Sequence, residues 1–150
     1  MRIPLTVREV AGVLRPVVVF SYQIPSIRMR GRIEALIDTG SPYTLFSEAE
    51  GIRQQFPYSR RQHDTSIGIS SINAWKYPVN EVQLAFLTAE GQVVRFTTNG
   101  FFLKSTSDKQ DVRGQSACLP NILGMDFIFN NNLGFWMKGK SGFLTDEDVL

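Results

Sequence analysis

Apolar and polar residues alternate along much of this sequence, a pattern typical of β-strands that bury one face. In one such run Val82, Leu84 and Phe86 share a face, and residues 32–35 alternate in another run before the apolar pair at 36 and 37. Few segments show the longer period of an amphipathic helix. The pattern therefore predicts an all-β chain in which helices contribute little.

Two further segments support this prediction. Residues 92–98 are rich in Val, Phe and Thr, which suit a pleated surface, and residues 17–22 form an apolar run between Pro16 and Pro25. A turn that contains Gly91 separates two strand-like segments, so residues 84–96 are predicted to form a hairpin.

Helix signals are confined to two short segments. Ser47 and Glu50 have the spacing of a capping box, in which the serine caps the helix and the glutamate reaches back to it, and this helix would run toward Gln55. A second short helix is predicted after Gly124, ending at three consecutive asparagines. Residues 105–115 are polar and are predicted to form an exposed loop.

The composition fits one globular domain and excludes several functional classes. The chain has 150 residues, 43% of them hydrophobic, and because domains commonly hold about 100–150 residues we expect residues 1–150 to form a single domain. A net charge of +2 is too weak a field to indicate nucleic acid as a partner. Neither a signal peptide nor an apolar run long enough for a bilayer is found, so we expect no membrane partner and a cytoplasmic location.

The single cysteine and the single histidine limit the possible chemistry. Cys118 and His63 are the only residues of their kinds, which excludes an intrachain disulfide and a cysteine- or histidine-based metal cluster, and we expect no metal and no cofactor. His63 lies in a polar run and is expected to be a solvated loop residue. Cys118 is expected to be a small core residue, and Phe135 and Trp136 are expected to belong to a packed strand.

The segment with the clearest chemical content is Ala-Leu-Ile-Asp-Thr-Gly-Ser at residues 35–41, which places a carboxylate at the end of an apolar strand. Thr39, Gly40 and Ser41 can supply hydrogen-bond donors: Gly40 lets the backbone N–H approach the carboxylate, and the Ser41 hydroxyl can reach its outer oxygen. A carboxylate held in this way can act as a general base toward water. The same residues also suit an ordinary turn after a strand, and the triplet alone does not decide between these readings.

Two segments together resemble a known family. The stretch apolar-apolar-Asp-Thr-Gly-Ser resembles the signature of the aspartic proteases, and residues 119–128 look like the apolar-apolar-Gly-x-Asp stretch near the C-terminal end of retropepsin-like domains. The resemblance covers roughly residues 33–136 and implies a closed retropepsin-like β-barrel with one or two short helices. In that family the second stretch passes beside the catalytic loop, so a structural role is implied for four residues: Ile122, Leu123, Gly124 and Asp126.

Between these segments, residues 65–75 hold small residues within a strand-like run. Retropepsin-like proteases carry their flap here, a hairpin that closes over the substrate. Ile67, Gly68, Ile69 and Trp75 are therefore the candidate flap and substrate-binding residues, with Gly68 allowing mobility and Ile69 or Trp75 lining the cleft. A plain surface hairpin is the alternative for this segment taken by itself. The two serines at 70 and 71 stand where retroviral flaps are richer in glycine.

Two other aspartates could be mistaken for a second catalytic acid. Asp64 precedes Thr65 and Ser66, so Ser replaces the Gly of the motif, and no apolar run leads into it; we assign it to the base of the flap or to a loop. Asp126 is expected to cap the short helix that follows Gly124. Each chain therefore supplies one catalytic aspartate.

The chemistry implied by the resemblance requires two aspartates. Two close carboxylates that share one proton can activate water and protonate the departing groups, because two like charges so close together cannot both ionise. With one motif per chain, the resemblance implies a homodimer in which the two Asp38 side chains meet on the two-fold axis. Thr39 would hydrogen-bond across that axis, and Ser41 would orient its own Asp38.

The predicted function is that of an aspartic endopeptidase, which hydrolyses peptide bonds of an extended polypeptide by direct attack of water. Self-association and a polypeptide substrate are the predicted partnerships. The alternative is a dimeric binding or assembly module that keeps the retropepsin fold with weak or no catalytic activity.

Overall fold

The structure, a computed structural model, describes residues 1–69, 72–106 and 119–148. In this part of the chain ten strands form one sheet, and they run as follows: β1 (Arg2–Val10), β2 (Val13–Ile24), β3 (Met29–Ile37), β4 (Leu45–Phe46), β5 (Ser66–Ile69), β6 (Ile72–Leu87), β7 (Val93–Ser105), β8 (Asn121–Leu123), β9 (Gly134–Lys138) and β10 (Ser141–Thr145). Two short α-helices accompany them, α1 (Glu48–Arg53) and α2 (Met125–Asn130), with 3₁₀ turns at Pro25–Ile27 and Tyr58–Arg60. The all-β class with one or two short helices is confirmed.

The sheet closes on itself. Its strands follow the order β5, β6, β7, β4, β8, β3, β2, β1, β10, β9, and β6 also pairs with β2 through Ser21 to Gln23. This additional pairing makes a ring of β2, β6, β7, β4, β8 and β3. Outside the ring, β5 pairs with β6, and β1, β10 and β9 follow β2 in that order. The predicted closure of the sheet is confirmed as a ring of strands.

Burial along the strands follows the alternation of the sequence. In β2, Val18, Phe20, Tyr22 and Ile24 are buried while the residues between them are exposed. The end of β3 differs, because three consecutive apolar residues at 35–37 are all buried. There β3 pairs in parallel with β8, and a strand covered on both faces needs a continuous apolar run. Asp38 directly follows this buried apolar run.

The predicted hairpin over residues 84–96 is present as part of a longer one formed by β6 and β7. Gly91 lies in its turn with φ of +82°, a conformation that costs glycine little. A β-bulge between Val79 and Val82 shifts the register, and Glu81 adopts a positive φ of 55° there. Strand β6 thus pairs with β7 in this long hairpin and with β5 in a shorter one.

Two sequence expectations about strand ends are corrected. Pro16 does not bound the second strand but lies inside β2, opposite Val7 of β1. Ser105 is not part of an exposed loop, because it ends β7 and is buried, and its backbone N–H donates to Glu48 Oε1 at 3.3 Å. The rest of the predicted loop up to residue 115, except the exposed Thr106, lies outside the described residues, and so does Cys118.

The first helix has half of the predicted capping box. The Ser47 side chain accepts a hydrogen bond from the Glu50 N–H at 3.2 Å, as expected of an N-cap. The Glu50 carboxylate does not reach back to Ser47. It accepts instead from the Tyr22 hydroxyl at 2.5 Å and from Arg53 Nε at 2.8 Å, so this buried acid ties α1 to β2.

The interior is divided into a main core and a smaller apolar cluster. The smaller one, which we call the flap cluster, contains Leu45, Ala74, Leu103 and Ile122, with Ile67, Ile69 and Phe101 packed against it. The largest fully buried side chains of the main core are aromatic: Phe20, Tyr22, Phe46, Phe86, Phe102 and Phe127.

Strand β9 was expected to be packed, and the structure corrects this for its aromatic side chains. Phe135 and Trp136 lie in the strand but are 36% and 37% exposed, because β9 is the last strand of the sheet. Trp136 stacks on Phe143 with 5.0 Å between ring centroids. Across the described ranges, no helix is long and apolar enough to cross a membrane.

Candidate active site

The chain turns sharply as it leaves β3, and this turn holds the Asp38 carboxylate. The Asp38 N–H donates to Leu123 O at 3.1 Å, which continues the pairing of β3 with β8 by one residue. Asp38 Oδ1 accepts from the Gly40 N–H at 2.9 Å, and the Ser41 N–H donates to Asp38 O at 3.1 Å. The donation from Gly40 is the one that the sequence predicts.

The other two motif residues behave differently from each other. Thr39 is exposed at the tip of the turn. The Ser41 hydroxyl was expected to orient Asp38, but it donates to Tyr43 O at 2.7 Å and accepts from the Tyr43 N–H at 3.3 Å. In this chain Ser41 therefore stabilises the turn that follows the motif and does not contact the carboxylate.

The segment from β8 into α2 clamps the motif loop from the other side. The Met125 N–H donates to Ser41 O at 2.8 Å. Gly124 packs so closely that an added Cβ would lie 2.3 Å from Tyr43 O, which explains the need for glycine. Ile122 and Leu123 pair with β3, and their side chains point to opposite sides, Ile122 into the flap cluster and Leu123 into the main core.

Asp126 is not the N-cap residue of α2, in contrast to the sequence expectation, but its carboxylate accepts a hydrogen bond from an N–H of the first turn of the helix. The N-cap residue is Gly124, which provides no side-chain bond. Asp126 Oδ1 accepts from the Thr44 hydroxyl and from the Phe127 N–H, both at 2.7 Å, and Oδ2 accepts from the Thr44 N–H at 3.0 Å. The Thr44 hydroxyl in turn accepts from the Gly124 N–H at 3.3 Å. This carboxylate therefore fastens the strand after the motif to the start of α2.

Strands β5 and β6 form the hairpin predicted as the flap. Ile67 faces Ala74 across it, and both belong with Ile69 to the flap cluster. Gly68 is exposed on the hairpin. Trp75 points to the opposite side, packs against the main core and stacks on His63 with 4.1 Å between ring centroids. The four candidate flap residues are thus brought to one hairpin but not to one face.

Two solved structures have a similar fold. A retropepsin-like aspartic protease from Rickettsia conorii matches with a TM-score of 0.54 and 14% identity over 96% of this chain and 89% of that one. The EIAV protease, in complex with the inhibitor HBY-793, matches with a TM-score of 0.50 and 17% identity over 79% of this chain and 88% of that one. The chain has the retropepsin-like fold. No protein-family model matches the sequence, and no curated protein matches it significantly, so the likeness to these structures is one of fold.

On this retropepsin-like fold, one residue beside the motif loop was not predicted as part of the site. Lys76 of β6 is only 7% exposed, and its Nζ lies 4.8 Å from the Tyr43 ring centroid and 5.0 Å from that of Phe101. The two rings meet edge to face at 5.3 Å. The available signal was the period of β6, because Lys76 shares a strand face with Ala74 of the flap cluster.

Three other ionisable residues of this region, Asp64, Tyr22 and Tyr58, have contacts that involve the flap hairpin or the core. Asp64 is exposed at the base of the flap hairpin, where its N–H donates to Lys76 O at 2.6 Å. Burial raises the pKa of Tyr22, and the adjacent Glu50 carboxylate raises it further. Burial likewise raises the pKa of Tyr58, whose hydroxyl donates to Leu103 O at 2.8 Å. The residues that the structure describes contain no group of three or more His, Cys, Asp or Glu side chains placed to hold a metal ion.

Proposed function

We propose that this protein is an aspartic endopeptidase whose active site forms when two copies bring their Asp38 carboxylates together. The observation that carries the proposal is the Asp38 turn on a retropepsin-like fold. A half-buried carboxylate ends an apolar strand, and its Oδ1 accepts from the Gly40 N–H at 2.9 Å. Behind the turn, the Met125 N–H donates to Ser41 O at 2.8 Å, and the Asp126 carboxylate binds Thr44, which follows the motif.

The need for a second copy follows from the chemistry and from exposure. One chain offers one such aspartate, and hydrolysis of an amide requires both a proton acceptor and a proton donor. Thr39 and Gly40 are exposed in the single chain, so the tip of the turn is free to meet its equivalent on a two-fold axis. Thr39 would then hydrogen-bond across the axis.

The reaction proceeds by direct attack of water on the peptide carbonyl. One Asp38 carboxylate takes a proton from the water while the protonated Asp38 of the other copy donates its proton to the carbonyl oxygen, giving a tetrahedral diol. Protonation of the amide nitrogen and return of a diol proton to a carboxylate then break the C–N bond. The step needs neither a covalent enzyme intermediate nor a metal.

The substrate would be an extended polypeptide lying between the motif loop and the flap hairpin. Such a segment can add to the hairpin as a further strand through backbone hydrogen bonds. Ile67 and Ile69 are the flap residues whose side chains share the face of the flap cluster, so we assign contacts with substrate side chains to them. Gly68 allows the hairpin to move, and Trp75 supports it from the other face.

One observation favours the second candidate, a dimeric binding or assembly module with weak or no activity. The Ser41 hydroxyl bonds to Tyr43, so the Asp38 carboxylate lacks one of the donors that the motif was expected to supply. Both functions use the same dimer, and turnover separates them.

The deciding experiment is the digestion of an unfolded protein substrate by the wild type and by Asp38→Asn across acidic to neutral pH. Asn is nearly isosteric and keeps an oxygen for the Gly40 N–H, but it cannot accept a proton from water. We expect Asp38→Asn to lower turnover by about 10²-fold or more with the fold retained.

Asp64→Asn is the matched control, because Asp64 is exposed and precedes a near-copy of the motif. We expect the control to cleave at the wild-type rate. Equal turnover by wild type and Asp38→Asn would remove Asp38 from the chemistry. A wild type that cleaves nothing at any pH would make the binding module the better assignment.

A further inference from the structure

Lys76 carries a charge into an apolar part of the molecule. Its side chain is 7% exposed, and its strand face is shared with the flap cluster of Leu45, Ala74, Leu103 and Ile122. Buried cations in proteins are ordinarily paired with an anion, because removing a charge from water is costly. Yet among the residues that the structure describes, no carboxylate forms an ion pair with Lys76.

What holds the ammonium group instead is a pair of aromatic rings. Nζ lies 4.8 Å from the Tyr43 ring centroid and 5.0 Å from the Phe101 centroid, both within cation–π range. These rings stabilise the positive charge but accept no conventional hydrogen bond from it. The three donor hydrogens of the ammonium group therefore remain available to an anion.

The position of these rings connects Lys76 to the proposed cleft. Tyr43 follows the motif loop, is 37% exposed, and takes both hydrogen bonds of the Ser41 hydroxyl on its backbone. Lys76 lies on the same face of the flap sheet as Ile67, the residue assigned to substrate contact. A side chain of a bound polypeptide that reaches Tyr43 therefore meets a cation in an apolar wall.

We propose that Lys76 determines substrate specificity by pairing with an acidic side chain, Asp or Glu, of the bound polypeptide. The proposal rests on the proposed endopeptidase function and adds the substrate class. A carboxylate that reaches Lys76 gains a charge-assisted hydrogen bond to a cation that is largely withdrawn from water. A neutral isostere such as Gln leaves the cation without an anion.

The test first profiles where the enzyme cuts unfolded proteins and then compares two synthetic peptides. They share the best-cleaved sequence and differ by Glu or Gln at the acidic position. We expect wild-type kcat/KM to favour the Glu peptide by about 10- to 100-fold, the range of a hydrogen bond to a charged group. In Lys76→Met, whose side chain has a similar length but no charge, this ratio should fall to near one. Lys76→Arg keeps the charge and should retain part of the preference for the Glu peptide.

Lys104→Met is the matched control. Lys104 lies on the neighbouring strand β7, opposite Trp75, and its Nζ is 5.4 Å from the Tyr58 ring centroid, on the other side of the flap sheet. Its removal changes the net charge by the same amount and should leave the Glu-to-Gln ratio intact. Circular dichroism and thermal unfolding establish that each variant is folded.

Several results would overturn the proposal: a wild-type ratio near one, a ratio that survives Lys76→Met, or an equal loss in Lys104→Met. A shifted pH profile for the Gln peptide in Lys76→Met, with the ratio unchanged, would place the lysine in the chemistry and not in recognition. If the wild type cleaves nothing, the endopeptidase assignment fails separately. In that case we measure the binding of two peptides that differ only by Glu or Gln. If the wild type and Lys76→Met bind these peptides with equal affinities, the role of Lys76 is refuted.

Discussion

Asp126 joins two parts of the chain that are far apart in sequence. Its carboxylate accepts from the backbone and the hydroxyl of Thr44, 82 residues earlier, and from the Phe127 N–H. Both oxygens are occupied, so the side chain is fully used in holding the strand after the motif. The residue is an acid near the Asp38 loop whose contacts are structural.

We expect Asp126→Asn to destabilise the protein without a specific loss of chemistry. The amide NH₂ cannot accept a hydrogen bond, so one Thr44 donor loses its partner, and we expect a cost of about 1–3 kcal/mol in the free energy of unfolding. Urea unfolding measures the loss, and turnover per folded molecule measures the chemistry.

Asp38→Asn provides the comparison for this variant. We expect its unfolding free energy to stay close to that of the wild type while its turnover disappears. Loss of turnover in a well-folded Asp126→Asn dimer, with activity retained in Asp38→Asn, would show that the catalytic aspartate is misassigned.

For single residues, the sequence predicted those contacts that depend only on local backbone geometry. The Gly40 N–H reaches Asp38 because the turn is only two residues long. The partner of the Ser41 hydroxyl was not predictable, because a hydroxyl rotates freely and Tyr43 competes with Asp38 for it. The burial of Lys76 was also hidden, since it depends on rings contributed by β7 and by the loop after the motif.

At the scale of secondary-structure elements, α1 is fixed to the sheet by a buried acid. Glu50 accepts from the Tyr22 hydroxyl of β2, and Tyr22 is 1% exposed. The space is tight, because a Cβ on Gly31 of β3 would lie 2.6 Å from Glu50 Oε2 and 2.8 Å from the Tyr22 hydroxyl. A short helix of this kind depends on such contacts more than on its own propensity.

We expect Tyr22→Phe to destabilise the protein by about 1–3 kcal/mol, because it leaves a buried carboxylate oxygen without its donor. Tyr43→Phe is the control: Tyr43 is 37% exposed, and its change should stay within about 0.5 kcal/mol. Chemical denaturation measures both. Equal stabilities of the two variants would mean that the hydroxyl bond to Glu50 does not support α1.

The raised pKa of Tyr22 gives this comparison a second readout. The native state keeps the phenol protonated at pH values where the unfolded chain, with an ordinary pKa of 10.0, has lost the proton. The unfolded state then binds fewer protons, so stability falls as pH rises above that value. The fall should be shallower in Tyr22→Phe but not absent, because the pKa of Tyr58 is raised as well.

Elements were predictable where one face of a strand is buried or where a local cap begins a helix. The period-two runs of β2, β3, β6 and β7 and the Ser47 cap are of this kind. The capping box failed in its second half because Tyr22, distant in sequence, offers Glu50 a partner that a local pattern does not contain. The face on which Trp75 lies was not predictable, because it depends on the register of the hairpin, which the sequence of a single strand does not determine.

On the scale of the whole molecule, the function proposed above requires two copies. We expect sedimentation of the wild type to give about twice the chain mass of 16.9 kDa. Thr39→Arg should convert the dimer to monomers, because it sets two like charges against each other at the two-fold axis while the exposed position tolerates the change in a single chain. Cleavage should be lost together with the dimer.

Thr97→Arg, at an exposed position of β7, adds the same charge and should leave the dimer and the activity intact. A wild type that cleaves polypeptide as a strict monomer would rule out the two-chain site. A dimeric Thr39→Arg variant with full activity would move the axis away from the motif loop.

The ring of strands also has a consequence for the order of events during synthesis. The loop that carries Asp38 is fastened by Leu123, Met125 and Asp126, which are made more than 80 residues after it. During synthesis the motif is therefore made long before the segment that fixes its geometry. Contacts so distant in sequence form late in folding, so the loop reaches its final geometry only after residues 123–126 have been made.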